Sequence, residues 1–237
     1  MIKTKFTENS IKFSICIPNY NYANYIGKTI QSVLDQSYGN FEIIIADNAS
    51  TDDSISVVNS FNDDRISIQI NNYNIGFAPN LEKATSKATG DFVILLSSDD
   101  IMNPGALEEY AKIIQNYNGA ENQLIIMSGC DVIDSKGNLI GEKLPMTGDV
   151  LKFLRSEGLT LDIIKEEYNF EGLYILKGLL SNRFQPAGQF LTTCFSKKLF
   201  DKVEGYNSIL SVFPDAHFSH KMLFENPLVI YKNKKLF

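Results

Sequence analysis

A chain of 237 residues is long enough to bury a substantial core without disulfide or metal staples. Its 44% hydrophobic and 21% charged content is that of a folded globular protein and excludes a disordered, collagen-like or coiled-coil chain. The net charge of −6 argues against a nucleic-acid partner, whose binders carry a basic face, and no apolar run approaches the roughly 20 residues that span a bilayer.

The opening MIKTKFTENSIKF lacks the apolar stretch of a signal peptide. Cys16, Cys130 and Cys194 are odd in number and far apart, which suits buried free thiols in a reducing, cytoplasmic setting. Short apolar runs rich in Ile, Val and Phe then predict strands at 13–17, 41–46, 65–70, 92–96 and 124–127. Between them apolar residues fall at helical spacing: Ile26, Ile30, Val33 and Leu34, then Ile55, Val58 and Phe61. Leu81, Ala84 and Ala88 follow, then Leu107, Tyr110 and Ile114. Ser50 or Thr51 suits a helix N-cap, and Pro104 a first helical turn. Strand and helix alternating four times predict an α/β fold with a mostly parallel sheet and helices on both faces. The unbroken FVILL at 92–96 reads as a strand buried on both sides, whereas the alternating RISIQI at 65–70 belongs nearer an edge.

Beyond about residue 128 the pattern changes. Residues 134–138 (DSKGN) read as a turn, 149–182 as one or two helices with loops, and 190–195 as a strand. One domain spanning 1–237 is expected, with a nucleotide-type half at 12–120 and an acceptor half at 121–237.

In a parallel sheet, ligands bind beyond the carboxyl ends of the strands. There the first strand runs into Pro18, Asn19, Tyr20 and Asn21, the second into Asp47 through Asp52, and the fourth into Ser97, Ser98, Asp99 and Asp100. Carboxylates converging from separate strands repel one another unless a cation neutralises them, and a divalent metal carrying a phosphate resolves the conflict. Asp47, Asp52 and Asp99 would also serve simply as helix caps. There is no G-x-G-x-x-G after the first strand and no P-loop, which disfavours a dinucleotide oxidoreductase and a P-loop NTPase. Two histidines, His217 and His220, are too few for a zinc site of their own.

The stretches ICIPNYN, FEIIIADNASTDDS and NIGFAPNLEKATSKATGDFVILLSSDD, in that order and spacing, resemble the inverting family 2 glycosyltransferases of GT-A fold. The match covers residues 12–115 and continues more loosely to about 233. The resemblance implies a nucleotide-diphosphate sugar, UDP- or dTDP-linked, lying across the first four strands. Pro18, Asn19 and Tyr20 would line the base pocket, and Asp47 would accept from the base N3–H. Asn80, Ser98 and Asp99 complete the nucleotide side, with Gly76 in a tight turn. Asp99 matches the last acid of the family's metal-binding Asp-x-Asp motif. The first acid of that motif is here Ser97, so Asp100 is the candidate second ligand for Mn2+ or Mg2+. Asp215, after Gly205, Tyr206 and Phe213, matches the family stretch that carries the catalytic base, and would equally suit a helix N-cap. Lys234 falls where the family segment Tyr-Arg-x-His places a diphosphate-contacting histidine; a solvated basic tail is the other reading, and the chain stops three residues later.

The resemblance implies transfer of a monosaccharide to a glycan or lipid-linked saccharide hydroxyl, as in bacterial surface polysaccharide synthesis. Work at the inner face of the membrane would then rest on peripheral association. Phe153, Tyr168, Phe170, Tyr174 and Phe184 would stack on an acceptor or belong to the core, and the 185–189 loop (QPAGQ) would approach the donor sugar. A non-catalytic GT-A-like domain that binds nucleotide-sugar or a partner is the competing expectation, favoured by Ser97 and Lys234.

Overall fold

A computed structural model describes residues 10–117, 123–159, 166–183, 193–206 and 214–237, with the side chains of the last segment from Ala216 onward. In chain order the elements are β1 (Phe13–Asn19), α1 (Ala23–Leu34), β2 (Phe41–Asp47), α2 (Ser54–Asn59), β3 (Ile66–Ile70), α3 (Phe77–Ser86), β4 (Phe92–Leu95) and α4 (Ala106–Asn116). The second half adds β5 (Leu124–Ile133), β6 (Leu139–Lys143), α5 (Gly148–Ser156), β7 (Glu167–Glu171), α6 (Gly172–Leu180), β8 (Thr193–Ser196), α7 (Lys197–Lys202), α8 (Pro214–Phe224) and β9 (Leu228–Lys235).

The described strands form one sheet in the order β3-β2-β1-β4-β8-β5-β9-β7, with β6 attached to β5 as a hairpin. β1, β2, β3 and β4 are parallel. β8 runs against β4 and β5, and β7 against β9, so β5 and β9 point the same way as the first four strands. The chain moves outward from β1 through β2 to β3, then returns to place β4 on the other side of β1. That reversal opens a crevice at the carboxyl ends of β1 and β4, where an open α/β sheet receives its ligand.

Alternation along each strand divides the core between the two faces of the sheet. In β4 and just beyond it, Phe92, Ile94 and Leu96 pack with α1, α2 and α4, while Val93 and Leu95 pack with α3, α5, α6, α7 and α8. Both faces are covered, so the run is apolar throughout, and each such side chain contributes about 1.5–3 kcal/mol by leaving water. α1 turns Ile26, Ile30 and Val33 inward, and α4 does the same with Leu107, Tyr110 and Ile114, as their spacing predicts. The seam between β1 and the approach to β4 is tight: a Cβ on Gly90 would lie 2.6 Å from the Lys12 carbonyl oxygen.

Several boundaries differ from the sequence expectation. β3 is an edge strand, as expected, but β5 extends to Ile133 because the 134–138 turn closes it into a hairpin with β6. α4 starts at Ala106, since Gly105 takes a left-handed conformation and Pro104 lies in the preceding turn. The region 149–182 contains β7 between its helices. Its EYNFE alternates buried Tyr168 and Phe170 with polar residues, a signal too short to stand out beside two helical periods. Tyr168, Phe170 and Phe153 are core residues, Tyr174 packs against that core, and Phe184 and the 185–189 loop lie outside the described residues. Cys16 and Cys194 are buried free thiols, whereas Cys130 is only half-buried.

Candidate functional site

β1 ends at Asn19, whose backbone carbonyl accepts from the Asn48 amide at 2.8 Å and whose side chain is 1% exposed. Its Nδ2 donates to Asp47 Oδ2 at 2.7 Å and to Ser50 Oγ at 3.2 Å. Ser50 closes the unit, donating to Asp47 Oδ1 through its amide at 2.8 Å and to Oδ2 through its hydroxyl at 2.6 Å. Asp47 is therefore enclosed, its carboxylate engaged by three donors and out of contact with solvent. Asn19 Oδ1 is the exception: it is buried and has no hydrogen-bond partner among the described residues. An unpaired buried acceptor costs about 1–3 kcal/mol, and a ligand donor would relieve it.

Two non-glycine residues in these loops have positive φ, Asn21 at 59° and Ala49 at 61°. Asparagine tolerates this conformation, but alanine does not favour it, and such backbone persists where its surroundings over-determine it. Here Asn21 receives the Thr51 amide at 2.8 Å and donates its own amide to Ser50 Oγ at 2.9 Å. Asp52 accepts from the amides of Ser54, at 3.0 Å, and Ala23, at 2.9 Å, so it caps the start of both α2 and α1. Neither Ser50 nor Thr51 is the cap residue of α2; Asp53 holds that position.

Beyond β2, a chain of asparagines shapes the adjoining wall. Asn48 donates to Asn74 Oδ1 at 2.8 Å and accepts from Asn71 Nδ2 at 3.0 Å and from the Ile75 amide at 2.9 Å. Asn71 also donates to Asn80 Oδ1 at 2.9 Å, and Asn80 Nδ2 donates to the Ala46 carbonyl at 2.8 Å. The loop then turns at Gly76, with φ 90°, into α3. Asn80 is thus a buried strut behind the site. Asn48 lies in the strand-end segment marked in the sequence, whereas Asn71 and Asn74 were missed there, although the NNYN at 71–74 directly after a strand is the kind of signal that marked the other three strand ends. Tyr20, Tyr73 and Phe77 stand exposed on the same rim.

At the end of β4 the Ser98 hydroxyl donates to the Pro18 carbonyl at 2.6 Å, and its own carbonyl accepts from Thr29 Oγ1 at 2.8 Å. The structure thus uses Ser98 and Pro18 to stitch β1, β4 and α1 together. Asp99 is exposed and Asp100 half-buried beside it. Burial, followed by the neighbouring Asp99 charge, pushes Asp100 up to about 6, against the opposing pull of Lys143. Among the described residues no group of three or more His, Cys, Asp and Glu side chains could hold a metal ion. A hard divalent cation takes six or more oxygens, so this pair fits a cation only if a diphosphate and water supply the rest. The half-buried place of Asp100 fits such a cation, since burial first and the Asp99 charge second disfavour its charged form, which a bound positive charge would favour.

β9 brings its carboxyl end to the same edge. The Asn103 amide donates to the Leu236 carbonyl at 2.9 Å, which ties the last residues to the loop after Asp99 and Asp100. Lys234 Nζ lies 2.8 Å from Glu109 Oε2, and buried Lys232 lies 3.0 Å from Glu109 Oε1. Lys234 is therefore ion-paired, not a loose basic tail. Asp215 is the second residue of α8, and its side chain lies outside the described residues. α8 is joined to the start of β9 by a short turn at 225–227. Gly205 and Tyr206, just past α7, are held to α3 and α8: the Tyr206 amide donates to Glu82 Oε2 on α3 at 2.7 Å, and Lys221 Nζ to the Gly205 carbonyl at 3.0 Å.

The family model for glycosyl transferase family 2 matches residues 14–155. Among curated relatives, the UDP-Glc:alpha-D-GlcNAc-diphosphoundecaprenol beta-1,3-glucosyltransferase WfgD of Escherichia coli is 33% identical over 129 residues, 54% of this chain and 49% of that protein. The GalNAc(5)-diNAcBac-PP-undecaprenol beta-1,3-glucosyltransferase of Campylobacter jejuni is 34% identical over 134 residues, 55% of this chain and 41% of that protein. The chain spans about half the length of the curated relatives it matches. Among solved structures, S. aureus TarS 1–349 in complex with UDP superposes with a TM-score of 0.69 at 20% identity, covering 94% of this chain and 59% of that one. The mannosyltransferase PcManGT of Pyrobaculum calidifontis, in complex with GDP-Man and Mn2+, gives 0.60 at 16% identity, covering 99% of this chain and 58% of that one. These two share the GT-A fold with the present chain.

Proposed function

Because the chain belongs to glycosyl transferase family 2, we propose that it is an inverting enzyme that moves a monosaccharide from a UDP- or dTDP-sugar to a hydroxyl of a lipid-linked saccharide. The observation that carries this reading is the meeting, at the β1–β4 reversal, of an orphaned buried acceptor on Asn19 with the crowded Asp99 and Asp100 pair. One suits a nucleotide donor group, the other a cation bearing a diphosphate. That E. coli and C. jejuni relatives are named for diphosphoundecaprenol-linked acceptors supports the acceptor class. UDP-glucose is the first donor to try.

In this reading the base and ribose lie over the ends of β1 and β2, with Tyr20 at the rim and Asn19 Oδ1 receiving a ligand N–H or O–H. Asp47 orients Asn19; its own contact with the base requires the 48–51 loop to shift. Asp99 and Asp100 would hold a Mn2+ or Mg2+ ion, which would offset the negative charge of the leaving diphosphate. Lys234 can assist only by exchanging Glu109 for phosphate. Asp215 takes the proton of the attacking acceptor hydroxyl as its oxygen bonds to the anomeric carbon and the bond to the diphosphate breaks. A base on the face opposite the leaving group gives in-line displacement and inversion. The halves 12–120 and 121–237 contribute strands to the same sheet, which supports one domain. Among the described residues no helix is long and apolar enough to cross a membrane.

The test is transfer from UDP-glucose to a prenyl-diphosphate-linked sugar, with the product's anomeric configuration read by proton NMR. Asp215→Asn is expected to lower kcat by about 10²–10⁴-fold while donor affinity changes little. Retained turnover in that variant would remove Asp215 as the base. Ser97 in the motif and the engagement of Lys234 by Glu109 favour a second reading, a non-catalytic nucleotide-sugar-binding domain, which predicts donor binding without transfer.

A further inference from the structure

The pairing around β5 decides where the β5–β6 hairpin delivers its far end. β9 lies along one flank of β5 over 124–129, and beyond that ladder the Asp131 amide still donates to the Phe237 carbonyl at 2.8 Å. β8 takes the other flank, but only over 125–127. β6 pairs with β5 over 130–133, so with one flank held by the β9 end it must continue on the β8 side, past the point where β8 stops. The other neighbour of β8 is β4. Lys143, the last residue of β6 and the partner of Cys130, therefore arrives at the carboxyl edge on the β4 side of β5. That is the side on which Asp99 and Asp100 leave β4.

The seat of Lys143 is tight and its side chain is open. A Cβ on Gly129 would lie 2.9 Å from the Lys143 carbonyl oxygen and 2.7 Å from Leu144 Cδ2, so β6 closes on β5 where a glycine leaves room. The Lys143 side chain is exposed, and its positive charge acts on both Asp100 and Cys130. It forms no salt bridge with the described residues. The other lysines of this edge are committed: Lys232 and Lys234 to Glu109, and Lys235 to Asp131 and Glu142.

The charge balance of the edge gives this lysine a task. The carboxylates of Asp99 and Asp100 together cancel the double charge of one divalent cation, so such a site leaves the diphosphate itself uncompensated. A further cation beside it would stabilise the charge that grows on the leaving diphosphate. An ammonium on a flexible stem pairs with phosphate as a point charge, and one without a salt bridge gives up no ion pair to do so. Lys234 would have to leave Glu109 first.

We propose that Lys143 is the donor-side cation of this enzyme, contacting the diphosphate of the bound nucleotide sugar. The proposal rests on the glycosyltransferase reading above and adds to it a diphosphate contact on β6. The test compares the native chain with Lys143→Gln and Lys143→Arg in the presence of Mn2+. UDP is titrated calorimetrically at low and high salt, and uridine is followed by ligand-observed proton NMR. Lys143→Gln is expected to weaken UDP about tenfold and to flatten its salt dependence, with uridine affinity kept; Lys143→Arg is expected to keep most of the UDP affinity. Unchanged UDP affinity in Lys143→Gln, while the native chain binds UDP, overturns the proposal and leaves the glycosyltransferase reading standing. An equal loss for uridine also overturns it, since it assigns Lys143 to the shape of the pocket. So does a loss of sugar transfer with UDP affinity intact, which moves Lys143 to the acceptor side. Failure of the native chain to bind either UDP or uridine brings down the glycosyltransferase reading itself.

Discussion

Asp47 shapes the ends of β1 and β2 without itself reaching the surface of the crevice. Its carboxylate gathers Asn19 and Ser50, the two side chains that fix how β1 and β2 hand over to their loops. Asp47→Ala would leave these buried donors unmet, at a cost of about 2–3 kcal/mol, read as a lower midpoint in urea denaturation. A loss below about 0.5 kcal/mol would show that the cluster does not hold the loops. Asn19→Ala is a milder test: it removes the unpaired Oδ1 acceptor, and UDP affinity is expected to fall by about tenfold. Unchanged UDP affinity would dissociate that acceptor from the nucleotide. At this scale the sequence was only partly legible. It marked Asn19, Asp47, Asp99 and Asp100 by their places at strand ends, but a carboxylate buried under a loop and one exposed on it look alike when written as letters. Ser98 and Asn80 were marked too, and the structure engages both as struts between backbone segments.

Among elements, the join between β1, β2 and the turn before β4 depends on Glu42. Ser14 Oγ donates to it at 2.6 Å, the Thr89 amide at 2.7 Å and Lys12 Nζ at 2.9 Å. Burial raises the Glu42 pKa, but these hydrogen bonds together outweigh it and hold the carboxyl below its ordinary 4.5. A depressed folded-state pKa gives stability that is present above pH 4.5 and lost as pH falls through the folded value. Glu42→Gln is accordingly expected to cost about 1 kcal/mol at pH 7, and the difference from the native chain to shrink as pH falls below 4.5 and through the lowered folded value, seen as converging melting midpoints. A gap that persisted in acid would assign the effect to packing. Strand and helix identities in the first half were readable because each apolar run is long, punctuated and consistent with its neighbours. The second half was harder: β7 and β9 are short or carry lysines, and they become strands only because partners across the sheet supply the missing hydrogen bonds.

For the molecule as a whole, the sheet order explains why residues more than 200 positions apart serve one edge. The β1–β4 reversal makes the crevice, and β5 and β9 extend the same parallel direction. The Tyr206–Glu82 hydrogen bond ties the segment that follows α7 to α3, and the Lys221–Gly205 bond ties α8 to the same segment. None of this long-range placement is written in local periodicity; motif order pointed to the fold, and tertiary pairing decides which residues meet. On the proposed reading, Asp99 and Asp100 form a cation-dependent diphosphate site despite Ser97. Calorimetric titration of UDP and dTDP, each with and without Mn2+, on the native chain and Asp99→Ala tests it directly. The account predicts nucleotide binding that tightens at least about tenfold with Mn2+ and loses that gain in Asp99→Ala. Binding indifferent to Mn2+ in both proteins, or no binding at all, would contradict it.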